Sequence, residues 1–135
     1  MLSITRTHFL QMVGHAYDCL PEEACGLLLG RAEAGRVELF RPCVNAARSA
    51  RVYTVDPRDF LRVDREAEEL GLEIIGVMHS HTHTPAWPSP TDVAQAPDPG
   101  WHYVIVSLGS SEPVLRSFRI REGEIDEEEI QVLAG

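Results

Sequence analysis

Two histidines one residue apart, His79 and His81, follow an apolar, strand-like run from Glu73 to Met78. Along an extended strand, residues i and i+2 point to the same face. Both imidazoles therefore aim at one point, and Ser80 faces away. Two imidazoles and a carboxylate form a ligand set that zinc accepts in a tetrahedral site. Asp92 supplies the carboxylate if the loop from Thr82 to Pro88 folds back, and Pro85 and Pro88 stiffen such a turn. Three protein ligands leave one position for water, as in a catalytic rather than a structural zinc site. Ser89-Pro90-Thr91-Asp92 also reads as a helix start, with Ser89 as N-cap, Pro90 as first helical residue and Asp92 as the acid at N3. Capping accounts for Ser89 and Asp92 without chemistry and is compatible with ligation. It leaves the two histidines unexplained.

At 135 residues and 44% hydrophobic, the chain has the size and apolar content of one domain that builds its core without staples. A net charge of −9 argues against nucleic acid, where affinity rests on basic side chains neutralising phosphates. Three cysteines, Cys19, Cys25 and Cys43, with no C-x-x-C, fit a reducing compartment and not a disulfide frame. No apolar run approaches the ~18–20 residues that span a membrane, and the N-terminal residues lack a signal-peptide core. The expectation is a cytoplasmic protein.

Residues 5 to 20 predict an amphipathic helix, with Phe9, Leu10, Val13, Ala16, Tyr17 and Leu20 at helical spacing and Thr5 or Thr7 as cap. His8 and His15 read as surface or boundary residues on it. Ala24 to Leu29 is a buried strand, entered through Glu22 and Glu23. An acid entering a buried strand is unusual unless paired or functional. Glu22 reads as a solvated loop carboxylate, and Glu23 is the better candidate for a general base. Cys25 reads as a small core residue. Strands follow over 36–44 and 52–55, then a helix over 57–70 capped by Asp56 and stopped by Gly71. A short helix runs to about Ala96. Further strands cover 101–108, 114–120 and 124–132, the last an edge strand defended by charge. The sum is one α+β unit.

Glu23 in EEACGLLLG, then His79-Ser80-His81, seven residues, Ser89, two residues and Asp92 make a five-residue pattern. It resembles the JAMM motif of the MPN+ metalloproteases. The resemblance covers most of the chain, because the element order also fits that fold, a relative of the cytidine deaminase fold. It implies a single JAMM/MPN domain over residues 1–135, with a mixed, largely antiparallel sheet flanked by helices. It implies one zinc per chain on His79, His81 and Asp92, with Glu23 as general base and acid on the zinc-activated water. Ser89 then helps hold the oxyanion of the tetrahedral intermediate. Many members have proline after the second histidine; here it is Thr82. The segment HTHTPAWPSPTD is similar to bacterial members that release cysteine from the Gly-Gly tail of a ubiquitin-like sulfur carrier. The chain lacks room for the two insertions that eukaryotic deubiquitinases of the family use to grip ubiquitin. The expected partner is thus a ubiquitin-like or sulfur-carrier protein, with a peptide or isopeptide bond as target, and homo-oligomers remain open. His83 is expected beside the cleft. A non-catalytic MPN scaffold is the alternative, although such members usually lack the ligands present here. A deaminase would need H-x-E with P-C-x-x-C, and neither is present.

Overall fold

The computed structural model describes residues 1–135. Leu2–Thr5 forms a first strand, β1, which the helical reading of this segment did not include. Thr5 then caps α1 (Arg6–Asp18), so the helix is shorter than expected at both ends. The Thr5 hydroxyl accepts from the His8 N–H, and His8 Nδ1 accepts from the Thr5 N–H, both at 3.1 Å. His8 is therefore buried and not a surface residue, with its Nε2 donating to the Glu38 carbonyl. Met12 and Ala16 face the core, whereas Leu10, Tyr17 and Leu20 are exposed. The inward stripe is rotated from the one the spacing predicts.

The chain continues through β2 (Cys25–Arg31), β3 (Arg36–Cys43), α2 (Pro57–Leu70), β4 (Glu73–His81), α3 (Pro90–Ala94), β5 (His102–Ser107), β6 (Val114–Arg121), β7 (Glu124–Glu128) and β8 (Ile130–Leu133). Asp56 accepts from the first N–H groups of α2, and Gly71 closes it at φ 68°, in the left-handed region. The strand expected over 52–55 reduces to one antiparallel bridge between Asn45 and Val55.

All eight strands share one sheet, in the order β7-β6-β5-β4-β2-β3-β1-β8. Pairing is mixed: β2 runs antiparallel to β3 and β4, β6 antiparallel to β5 and β7, while β4–β5, β1–β3 and β1–β8 are parallel. One face packs Leu28, Phe40, Met78 and Val104 against Met12 and Ala16 of α1. The other packs Leu27, Val77, Ile105 and Phe118 against Val63 and Ala67 of α2. β4 is central and buried from Ile75 to its end, and its last residues carry the paired histidines. Gly76 sits where β4 meets β5; a Cβ there would run into the His102 carbonyl oxygen, so the close approach of these strands excludes a side chain.

The single edge strand expected over 124–132 is two strands that lie on opposite edges of the sheet, parted only by Glu129. The sheet thus curls until its edges meet at that residue, whose carbonyl accepts from the Leu2 N–H at 2.9 Å. Beside this seam the buried Glu128 carboxylate accepts from His102 Nδ1 at 2.6 Å and from the Ser117 hydroxyl at 2.8 Å.

Candidate metal centre

β4 delivers His79 and His81 to the α2 side of the sheet, as the period of two requires. Ser80 points the other way and is fully buried. Its hydroxyl accepts from the Ala24 N–H at 2.7 Å, and its own N–H donates to the Ala24 carbonyl at 3.0 Å. These two bonds fasten the residue after Glu23 to the residue between the histidines. Cys25 then stands opposite His79 in the antiparallel register.

The loop after His81 folds back. Thr82 Oγ1 donates to the Ala50 carbonyl, Ser107 Oγ to the Thr84 carbonyl, and the Leu108 N–H to the His81 carbonyl. Gly109 lets this loop lie close, since a Cβ there would meet the His83 carbonyl oxygen at 2.7 Å. His83 itself lies exposed at the cleft, its Nδ1 2.8 Å from Thr82 Oγ1.

α3 brings in the carboxylate. The capping box is present: the Ser89 hydroxyl accepts from the Asp92 N–H at 3.0 Å, and Asp92 Oδ2 accepts from the Ser89 N–H at 2.8 Å. That same Oδ2 lies 3.2 Å from His79 Nε2 and 3.1 Å from His81 Nε2, which are 3.2 Å from each other. Capping and convergence thus coexist in one side chain. Ligand atoms around a tetrahedral zinc, each at about 2.0–2.1 Å, are separated by roughly 3.3–3.4 Å. The observed triangle fits that spacing and needs no rearrangement.

The chemistry of the donors fits as well. His81 Nδ1 donates to the Pro85 carbonyl at 2.8 Å, which leaves Nε2 as the lone-pair donor of the neutral ring. His79 stacks on Tyr53, with ring centroids 4.4 Å apart. Burial drives its pKa down and keeps it neutral. Burial opposes charge on Asp92 too, but its contacts with the two imidazoles and the bond from the Ser89 N–H win and hold it well below the usual carboxylate range.

Glu23 lies at the mouth of β2, buried, with Oε1 lacking any hydrogen-bond partner. Burial raises its pKa from 4.5 to about 7, opposed by His81 and reinforced by the Asp92 charge. An unpartnered buried carboxyl of that basicity, lining one cavity with His81 and Ser89, suits a proton carrier. Cys25 is fully buried, and desolvation pushes its thiol up to about 12, which fits the core role.

Two positions that sequence reasoning passed over matter here. Ser80 was read only as facing away. Asn45, between the strands expected over 36–44 and 52–55, is buried. Its Nδ2 donates to the carbonyls of Glu23 and Val52, and its Oδ1 accepts from the N–H groups of Ala47 and Thr54. A lone Asn between apolar segments was the one available signal.

Two cavities flank the ligand cluster. One, of about 490 Å³, is mainly apolar and runs past Tyr53 to Val55, Phe60, Val77 and Trp101. The other, of about 570 Å³, is polar and is lined by Glu23, Ser89, Thr82, His83 and Arg51.

A mixed sheet with an H-x-H strand end and a helix-borne aspartate defines the JAMM/MPN class. The fold of a JAB1/MPN domain protein from Archaeoglobus fulgidus superposes with a TM-score of 0.65 at 20% identity, over 98% of this chain and 99% of that one. A protein from Desulfitobacterium hafniense superposes with a TM-score of 0.91 at 38% identity, over 100% and 94% of the two chains. The CysO-cysteine peptidase of Mycobacterium tuberculosis is 42% identical over 123 residues, 90% of this chain and 84% of that protein. A Thermus thermophilus protein named "Probable TtuB-protein conjugate cleaving protease" is 33% identical over 125 residues, 92% of this chain and 74% of that protein. Residues 5–121 match the family described as prokaryotic homologs of the JAB domain, and the chain belongs to it. It is an enzyme of the peptidase class that these relatives define.

Proposed function

We propose that this protein is a zinc-dependent peptidase that hydrolyses the bond after the C-terminal Gly-Gly of a ubiquitin-like or sulfur-carrier protein. The observation that carries this reading is the pairing of an open three-ligand set with an unpartnered, buried Glu23 beside it. His79, His81 and Asp92 would hold one zinc per chain. Bound there, zinc supplies Lewis acidity toward water and toward the scissile carbonyl. Glu23 takes a proton from the attacking water and returns it to the leaving amine, a task suited to a carboxyl with pKa near 7. The Ser89 hydroxyl accepts from the Asp92 N–H, so its own hydrogen is free for the oxyanion. No covalent enzyme intermediate is required.

The flank beside Tyr53 suits an extended tail. Val52 and Thr54 direct their backbone groups inward, to Asn45, Ser49 and Ala46. Tyr53 and Val55 have no such partner, which leaves their N–H and C=O groups for strand addition. Apolar residues upstream of the glycines fit the cavity between Val55 and Trp101. Two glycines let the backbone approach the ligand cluster with no Cβ in the way. The relatives named above for a CysO-cysteine linkage and for TtuB conjugates support the same substrate class.

The test is mass spectrometry of a ubiquitin-like sulfur carrier bearing one added C-terminal cysteine. Zinc-loaded enzyme removes that residue, and valine in place of the second glycine slows the reaction strongly. Failure to cleave any Gly-Gly adduct refutes the assignment.

A further inference from the structure

The polar cavity holds a cation that the mechanism above does not use. Arg51 lines it together with Glu23, Ser89, Thr82 and His83. Arg41, Arg58, Arg62 and Arg116 are ion-paired, whereas Arg51 is exposed with no carboxylate within 4.0 Å, and of the unpaired arginines it is the one that lines this cavity. In a chain of net charge −9, a guanidinium without an ion-pair partner, in a cleft that Glu23 also lines, is free for an anionic partner from outside.

The backbone that carries Arg51 is held on three sides. The Ser49 hydroxyl accepts from the N–H groups of Arg51 and Val52, at 3.0 and 3.3 Å. The Ser49 carbonyl accepts from the Glu23 N–H at 2.8 Å, and the Ala50 carbonyl accepts from Thr82 Oγ1 at 3.4 Å. Buried Asn45 joins Val52 to Glu23 through its Nδ2. The arginine is thus mounted between the proton carrier and the loop that follows the histidines.

The direction of the substrate follows from the proton path. The group that protonates the leaving amine must stand beside it, and Glu23 faces the polar cavity. The acyl tail then occupies the apolar side, and the departing residue enters the polar side with Arg51. We infer that Arg51 binds the free α-carboxylate of the departing residue, so that the substrate bond is a C-terminal peptide bond and a lysine-linked protein is disfavoured. The inference rests on the proposed function and specifies its leaving group.

The reaction balances without a further reagent. The water oxygen bonds to the glycine carbonyl carbon, the C–N bond breaks, and the proton carried by Glu23 goes to the amine. The products are a Gly-Gly carboxylate and a free amino acid, whose carboxylate pairs with the planar guanidinium through two parallel N–H donors. An isopeptide leaving group arrives on a four-carbon lysine stem and offers no carboxylate at that distance from the nitrogen.

The experiment uses zinc-loaded full-length protein and one ubiquitin-like sulfur carrier ending in Gly-Gly-Cys, made as the free acid and as the C-terminal amide. Wild type should cleave the acid roughly 10–100-fold faster in kcat/KM, the range of a charge-assisted hydrogen bond. Arg51→Ala should remove that preference by raising KM for the acid and leaving the amide rate in place; Arg51→Lys should restore part of it. Added salt should narrow the wild-type ratio. Equal wild-type rates on acid and amide overturn this inference and leave the proposed function standing. Equal loss on both tails in Arg51→Ala also overturns it, because a merely structural arginine behaves that way. Cleavage of neither tail refutes the proposed function and this inference with it.

Discussion

Replacing Glu128 by glutamine tests the electrostatics of the seam where the sheet's edges meet. Burial by itself would raise the carboxyl pKa, but the hydrogen bonds from His102 and Ser117 prevail and lower it from 4.5 to about 2. A folded value below the unfolded one means that the native state favours the ionised form. The stabilisation is therefore complete above about pH 4.5, and is lost as the pH falls through about 2. At about 1.4 kcal/mol per pKa unit the full effect is ~3 kcal/mol. Screening by the solvent that reaches this edge reduces it to roughly 2 kcal/mol. Glutamine keeps the shape and an acceptor for Ser117, so the loss is chiefly one of charge. Urea unfolding of metal-free wild type and Glu128→Gln, from pH 7 down to pH 3, gives the difference directly. The ligand cluster titrates alike in both proteins and cancels. The variant should be about 2 kcal/mol less stable at pH 7, and the gap should shrink as the pH falls below 4.5. A gap that stays constant from pH 7 to pH 3 refutes the charge argument, and would mean that the variant disturbs packing only.

The purified protein should bind about one zinc per chain by elemental analysis, and His79→Ala should abolish this; retention in a His79/His81 double alanine variant places the metal elsewhere. Glu23→Gln should keep zinc and lower turnover by roughly 10²–10⁴, and release of zinc by this variant would contradict its role as a base. Ser89→Ala should also keep zinc and lose roughly 10²–10³ in kcat; an unchanged kcat would remove Ser89 from the oxyanion site. Ser80→Ala strands the buried Ala24 N–H and should cost about 1–3 kcal/mol in urea unfolding, whereas a loss below 0.5 kcal/mol by that estimate would mean the bond is replaced by another.

How far the chain could be read depended on the distance over which each feature is decided. His79 and His81 converge because of a local period of two, and Asp92 follows through a short loop stiffened by prolines. Their geometry was legible. Glu23 is separated from them by more than fifty residues, and only the resemblance joined it to the set; the structure supplies the join through Ser80 and Ala24. Asn45 and Arg51 acquire meaning from contacts with Glu23, Val52 and Thr82 that no local pattern encodes. β1 is four residues long and merges with a helical spacing that starts at its last residue. Residues 124–132 contain no glycine or proline to mark a break, and the acids that end at Glu129 pass directly into Ile130-Gln131-Val132. Nothing in that pattern says that the first half pairs with β6 and the second with β1, because the choice of partner is set by the curl of the whole sheet.

That curl separates the site from the closure of the sheet in the order of folding. Joining Leu2 to Ile130 spans nearly the whole chain, whereas the contacts that build the site all lie between Glu23 and Leu108. Closure of a long loop carries more entropy, though only about 0.6 kcal/mol per doubling of length, and contacts so distant in sequence tend to form late. β8 is four residues long and is held by β1 alone. Its amides should therefore exchange with solvent through a small local opening, while those of β2 and β4 wait for global unfolding. The ligand cluster then stays assembled during such openings, and the molecule can breathe at its seam without losing its chemistry.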